Sequence, residues 1–344
     1  MATLLNRRHF TLSAVAALAW RKAFAQSART SVAELERDRV LTEARFALDA
    51  APLEPSTLTV DSWAGSLREL SATIACLAAA YTLTKESKYA NRAVLHLRAW
   101  FNIANPYLRP STDTSVADLV PLAEIARATS FLIESDAYSN ADQVAVNTSL
   151  TSLQHWLQSN RSTLIERDSK DHRASCWLLL SAAIARSQRD EEILTACRQR
   201  LRKPTLRNQI DAKGGFPQEL ATPNPYRNTL YNFDLLTGAC QLLSTPFEDL
   251  WSFELIDGIS LRTVAAALYP VIADPSKWAG VSDAQHFREL PGRRPALLFT
   301  GRAYNRPEYV ELWQSLPALV PPDIAASFPI REPLLWTTRA LHGL

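Results

Sequence analysis

Glycine is scarce in this chain, 9 of 344 residues, and no run of alternating β-branched residues separates its apolar stretches, so strands have little to form from. Net charge is nearly absent as well. Lys and Arg number 37 against 35 Asp and Glu, which gives +2 and no field strong enough to draw in nucleic acid or a membrane surface. An anionic ligand must therefore be recognised by a local cluster of basic groups. Four cysteines, Cys76, Cys176, Cys197 and Cys240, stand singly in apolar stretches, without the CxxC or Cys/His spacing of a zinc site. They read as small core residues. Phosphate loop, dinucleotide fingerprint, metalloprotease helix and Gly-x-Ser-x-Gly elbow are all missing, and no cofactor is expected.

What is present begins with "NRRHFTLSAVAALAWRKAFAQ". Paired Arg7 and Arg8, an apolar run from Phe10 to Trp20 and Ala23-Phe24-Ala25 before Gln26 read as a twin-arginine export signal over residues 1–25. The apolar run is far shorter than the roughly 20 residues a membrane span needs. The expectation is a periplasmic or secreted protein with no stable membrane insertion after processing, its residues 26–344 forming one domain. At 47% hydrophobic composition such a chain can bury a large core.

From Val32 onward apolar residues recur at three and four positions, as in "LRELSATIACLAAAYTLT", "VADLVPLAEIARATSFLI" and "SCWLLLSAAIARS". Short polar turns such as "TKES" and "SQRD" join the helices, as expected of antiparallel neighbours. The fold expected is all-α, an (α/α) toroid of antiparallel helical hairpins whose binding place is the mouth of the ring, where loops converge.

Three loops concentrate polar groups. "RDSKDHRASCW" places Asp171, His172 and Arg173 before a helix beginning near Ala174, where Asp171 or Ser175 also serves as a cap. "GGFPQELATPNPYRNTLYNFD" supplies Glu219, Tyr226, Arg227, Asn228, Tyr231 and Asn232, and Pro223 and Pro225 delay a regular helix to about Arg227. Either these side chains project toward a ligand, or Asn224 and Asn228 satisfy free amides at the helix start. "DAQHFRELPGRRPALLFTGRAY" holds the densest cationic cluster, with His286, Arg293 and Arg294 expected to line a cleft, because the planar arginine fork suits carboxylates. His96 and His155, on apolar helices, read as structural.

The order "YTLTKESKYANRAVLHLRAWF", "SKDHRASCW", "NQIDAKGGFPQELATPNPYRNTLYNFDLL" resembles the alginate-lyase-type polysaccharide lyases, from about Ser66 to Trp313. The resemblance implies an α/α-toroid and β-elimination from a uronic-acid polymer, an anionic polysaccharide or oligosaccharide. In that chemistry, groups aimed at the uronate carboxylate stabilise the charge that builds when the C5 proton leaves. A tyrosine or histidine takes that proton, and an acid protonates the leaving O4. Carried onto this sequence, His172, Tyr226 and Tyr231 are the catalytic candidates. Asp171, Arg173, Glu219, Arg227, Asn228, Asn232, His286, Arg293 and Arg294 are the substrate-binding ones. Members show Asn-Asn-His where this chain has Lys170-Asp171-His172-Arg173, with either His172 or Arg173 at the histidine position, and an arginine and a tyrosine where it has Thr222 and Asn228. Upstream, "PLEPSTLTVDSWAG" and "NIANPYLRPSTDTSVADLV" are shorter than the usual cleft loops, so substrate contacts there are expected to be altered or lost. Two other readings remain: an inactive glycan-binding protein on the same fold, and a glycoside hydrolase using Asp171 and Glu219 as its carboxylate pair.

Overall fold

Several helices start where a short polar side chain takes up a free backbone amide. The structure, a computed structural model, describes residues 31–52, 60–101, 114–283 and 287–338. Its principal helices are α1 (Val32–Asp49), α2 (Val60–Thr84), α3 (Ser87–Trp100), α4 (Pro121–Leu132), α5 (Asn140–Ser159), α6 (Arg161–Arg167), α7 (His172–Gln188), α8 (Glu191–Arg200), α9 (Pro225–Leu243), α10 (Leu261–Ala273), α11 (Pro295–Ala303) and α12 (Pro307–Ser315). Ser31 and Ser139 form reciprocal capping boxes with Glu34 and Asp142 at the starts of α1 and α5. Asp171, Asp190 and Ser260 cap α7, α8 and α10. No strand occurs among the described residues, which contain only an isolated bridge between Thr245 and Glu248.

Two kinds of helix build the two layers. In α7 every residue from Ala174 to Ala185 is buried, and in α9 every residue from Asn232 to Cys240. In α3, by contrast, burial falls on Tyr89, Ala90, Ala93, Val94, His96, Leu97 and Trp100, the single stripe of an amphipathic helix. The more deeply buried helices form an inner row in which α2 packs on α4, α4 on α7, α7 on α9 and α9 on α11. The outer helices lean on that row: α1 and α3 on α2, α5 and α8 on α7, α12 on α11. This is the expected all-α toroid of paired helices.

A C-terminal strap, residues 321–338, closes the arrangement. Its last turn, Pro333–Thr337, touches α1, α2, α4 and α9, and Ile330, Leu334, Leu335 and Trp336 are buried. Gly238 of α9 is the close-approach point, since a Cβ there would lie 2.4 Å from Ile330 Cδ1. The strap is held by charge as well as by packing. Arg39 of α1 donates to both carboxylate oxygens of Glu332 at 3.1 and 2.8 Å, and buried Arg127 of α4 donates to the carbonyl of Leu335.

All four cysteines are free and buried, as their apolar settings suggested. No helix among the described residues is long and apolar enough to cross a membrane. The expected export signal lies outside the described residues.

Candidate active site

The first turns of α4, α7 and α9 open onto one cavity of about 310 Å³. His172 comes from α7; Arg227, Asn228 and Tyr231 from α9; Arg68 and Ser71 from α2; Glu124 from α4. Ala117, Asp118 and Val120 line it just before α4, and the strap from Asp323 to Arg331 forms the remaining wall. Two of the three polar loops singled out in the sequence thus meet at the mouth of the helical ring. The third does not.

His172 is the most constrained polar group in the cavity. Glu219, fully buried, accepts its backbone N–H at 2.6 Å and faces its Nδ1 at 2.9 Å. A carboxylate oxygen accepts from an Nδ1–H, which leaves Nε2 as the ring nitrogen without a hydrogen bond among the described residues. Behind Glu219, the buried Asn232 amide donates to its Oε1 at 3.0 Å and to Gln209 at 2.9 Å, and Gln209 also takes the Ser175 hydroxyl. Burial disfavours the imidazolium, but the hydrogen bond and charge of Glu219, helped by Asp171 and opposed by Arg173, outweigh it and raise the His172 pKa above its ordinary value.

Tyr231 stands beside the histidine, edge to face, with ring centroids 5.8 Å apart. Its oxygen accepts only a long contact from the Cys176 thiol at 3.8 Å. Burial pushes its hydroxyl well above the usual tyrosine range; Cys176 and Asp118 add to the rise and Arg68 opposes it. At neutral pH Tyr231 is therefore a proton donor. Around this pair, Arg68, Arg227 and Arg331 form no ion pair within the described residues, and Arg227 Nε is buried without a hydrogen-bond partner. Asp118, Glu124 and Asp323 line the same cavity and Glu124 feels the charge of Arg331, but Arg68 and Arg227 pair with no carboxylate among the described residues and can receive an anion.

Several expected site residues lie elsewhere. Tyr226 is fully buried, donates to the Val271 carbonyl at 2.8 Å and packs on Trp278 and Phe287, so it is a core residue and not a base. Arg294 is buried against Asp234 at 2.7 Å and donates to the Ser327 carbonyl, tying the strap to α9. Arg293 donates to the carbonyls of Leu316 and Gln314. Neither arginine lines the His172 cavity: Arg293, at a smaller cavity of about 60 Å³, is held by backbone carbonyls and Glu36, and Arg294 by the buried Asp234 carboxylate and the carbonyls of Leu290 and Ser327. Asp171 and Arg173 pair with each other at 2.8 Å at the start of α7, off the cavity. Glu219 and Asn232 sit behind His172 and touch the site only through it. His286 lies outside the described residues.

The start of α9 also departs from expectation. The helix begins at Pro225, two residues earlier than the prolines suggested, because proline at the first position has no amide to satisfy. The next two amides, of Tyr226 and Arg227, donate to the carboxylate of Asp283 at 3.0 and 2.8 Å, which replaces a local asparagine cap. Thr222 and Asn228, standing where arginine and tyrosine were expected, bond to each other at 3.0 Å. Of the upstream segments expected to have lost substrate contacts, residues 53–59 and 102–113 lie outside the description, yet Ala117, Asp118 and Val120 reach the cavity.

Sequence reasoning missed Arg68, Asp118, Glu124, Asp323 and Arg331. Arg68 sits inside an apolar helical pattern and Arg331 in a proline-rich tail, and neither context marks a cleft. One further cluster, Glu43, Cys76 and Glu332, brings three donor atoms within 4.8 Å of one another. Arg39 bonds to both of its carboxylates, and the Cys76 thiol donates to the Val40 carbonyl, so the group is already an ion-pair knot and poorly suited to a metal.

Comparison with known proteins agrees with the geometry. Compared with curated proteins the sequence has no match. A crystal structure of an alginate lyase from Bacteroides ovatus is similar over 93% of this chain and 98% of that one, with a TM-score of 0.71 at 18% identity, which establishes a shared fold. The family model for alginate lyase matches residues 61–278, more than half of the chain and including both loops that meet at the cavity. The family match supports polysaccharide lyase activity. The chain belongs to the alginate lyase family.

Proposed function

We propose that the protein cleaves a uronic-acid-containing glycan by β-elimination, with His172 as base and Tyr231 as acid. The observation that carries this is the Glu219–His172 pair beside a neutral tyrosine in an arginine-lined cavity. Glu219 fixes the tautomer that presents Nε2 to substrate, the same positioning logic that makes a carboxylate-held histidine a general base. Arg227 and Arg68 neutralise the uronate carboxylate, which lowers the cost of the charge that accumulates as the C5 proton leaves. Tyr231, uncharged and with its hydroxyl proton uncommitted, delivers a proton to the departing O4. Both groups stand side by side, an arrangement that serves a C5 proton and an O4 on the same face of the sugar. Asn228, where the family carries a tyrosine, has no acid–base role in this scheme.

The proposed carboxylate pair of a hydrolase has little in its favour: Glu219 is buried behind His172 and Asp171 is paired with Arg173. Incubation with a panel of polyuronates decides the matter. New ultraviolet absorbance from an unsaturated product is expected; reducing ends without it mean hydrolysis, and binding without either means a glycan-binding protein. The rate should climb as pH rises through the elevated His172 pKa, since the base must be unprotonated. We also propose that residues 1–25 direct export. Fractionation of cells followed by N-terminal sequencing tests this, and a cytoplasmic protein retaining Arg7 and Arg8 would remove the idea.

A further inference from the structure

A ring of hydrogen bonds closes behind His172, through side chains that do not line the cavity. Glu219 Oε1 accepts the His172 main-chain N–H at 2.6 Å and the Asn232 amide at 3.0 Å. That amide nitrogen also donates to Gln209 Oε1 at 2.9 Å, and the same oxygen accepts the Ser175 hydroxyl at 3.0 Å. Ser175 and His172 both belong to α7, so the ring returns to the helix it left after passing through α9 and the short turn Leu206–Gln209. The side chains of Ser175, Gln209, Glu219 and Asn232 are all buried.

The direction of every bond in the ring follows from the first one. A main-chain N–H only donates, so Glu219 Oε1 accepts; the Asn232 group facing it is the NH2, and the Gln209 group facing that NH2 is the oxygen. This polarity leaves Asn232 Oδ1 and Gln209 Nε2 buried without a hydrogen-bond partner among the described residues. Such orphaned atoms destabilise a fold, and apolar side chains would avoid them. Two of them in one ring mark polar residues kept for what they orient. Asn232 also follows Tyr231 directly in α9, so anchoring its side chain bears on where Tyr231 stands against the His172 ring.

We infer that Gln209, braced by Ser175, is a positioning residue: its side-chain oxygen holds the Asn232 amide against Glu219, which keeps Nδ1 as the protonated nitrogen of a neutral His172 and keeps His172 in register with Tyr231. The effect on rate rests on the elimination reading above, whereas the effect on the His172 ring does not need it. Gln209→Met, similar in shape but without the amide oxygen, is compared with Gln209→Glu, which retains an acceptor oxygen. The readouts are nitrogen NMR of the imidazoles at a pH where the His172 ring is neutral, with His172→Gln assigning the signal, and turnover of a polyuronate.

The unaltered protein should show His172 protonated on Nδ1. In Gln209→Met the signals should become those of mixed tautomers, and kcat should fall about ten- to hundredfold with KM within a few-fold, the size of effect found when an outer partner of a metal-held histidine is removed. Gln209→Glu should recover the tautomer and most of the rate. A folded Gln209→Met protein whose His172 stays protonated on Nδ1 alone overturns the inference. So does a mixed tautomer in Gln209→Glu as well, which would mean that any change at this position merely disturbs packing. If Gln209→Met does not fold, Ser175→Ala removes only the brace and decides in its place: a shift toward mixed tautomers supports the inference and an unchanged ring overturns it. Absence of unsaturated product from every substrate would end the elimination reading alone, because the His172 tautomer still decides the role of Gln209.

Discussion

Two sets of arginines in this molecule have opposite fates. Arg293 and Arg294, adjacent in the sequence, spend their forks on backbone carbonyls and on the carboxylates of Glu36 and Asp234. Arg68, Arg227 and Arg331, scattered over more than 260 positions by their numbering, face one cavity and pair with no carboxylate among the described residues. Density of charge along the chain marks neither a site nor a surface. What matters is whether the fold supplies the partner: a buried guanidinium must have one, and an arginine left without one at a cavity is kept for something that arrives from outside.

The sharpest way to break that contrast is to remove one arginine of each kind. Arg294→Ala leaves Asp234 buried and unpaired, which should cost about 3–5 kcal/mol of stability, while the activity of each folded molecule survives. Denaturant unfolding and active-site-normalised rates measure the two quantities. Arg227→Ala should do the reverse. Stability should change by less than about 0.5 kcal/mol, and kcat/KM on a polyuronate should fall about 10²- to 10³-fold, as for loss of one donor to a developing oxyanion. If Arg227→Ala unfolds the protein and Arg294→Ala does not, the division of labour is wrong.

A smaller effect separates the strap from the helical row it closes. Gly238→Ala places a methyl 2.4 Å from Ile330 Cδ1 and 3.2 Å from Leu179 Cδ1, in a region packed on every side. The alanine is a better helix former, but overpacking should dominate at about 1–3 kcal/mol. Because Ile330 adjoins Arg331, substrate binding should weaken along with stability. A fully stable Gly238→Ala protein with unaltered KM would show that the strap yields without disturbing the site.

The helical row was legible because its signal is local. Apolar residues at three- and four-residue spacing in α2, α4 and α7 announce wide buried faces, and the cap at Asp171 follows from its place before an apolar run. His172 and Tyr231 were legible through neighbouring residues that resemble a family. Tyr226 and Tyr231 could not be told apart that way. They are five positions apart on one helix, and only the packing of α9 sends the first onto Trp278 and the second beside His172. Glu219 was visible as a polar residue in the right loop, but its role depends on a hydrogen bond spanning 47 positions. Arg68 and Arg331 were invisible because nothing beside them in the chain distinguishes an arginine facing a cavity from one facing water.

The core arginines also set the direction in which stability follows pH. Burial raises the Glu332 carboxyl to about 7, against the pull of Arg39, and raises Asp234 to about 6, against the pull of Arg294. Both folded-state values exceed those of an unfolded chain, where carboxyls titrate near 4. Between these limits the folded protein holds protons that the unfolded chain has released. The stabilisation is therefore complete below about pH 4 and is lost as pH rises through 6 and 7. His172, also raised, adds a loss in the same direction above its ordinary value. Tm should accordingly fall by a few degrees from pH 5 to pH 8, the slope expected when the unfolded state binds fewer protons. Glu332→Gln, which has no carboxyl to titrate, should flatten the upper part of that slope, whereas Arg227→Ala, at the cavity, should leave it as it is. A slope that changes in Arg227→Ala and persists in Glu332→Gln would mean that the titrating groups belong to the site and not to the core.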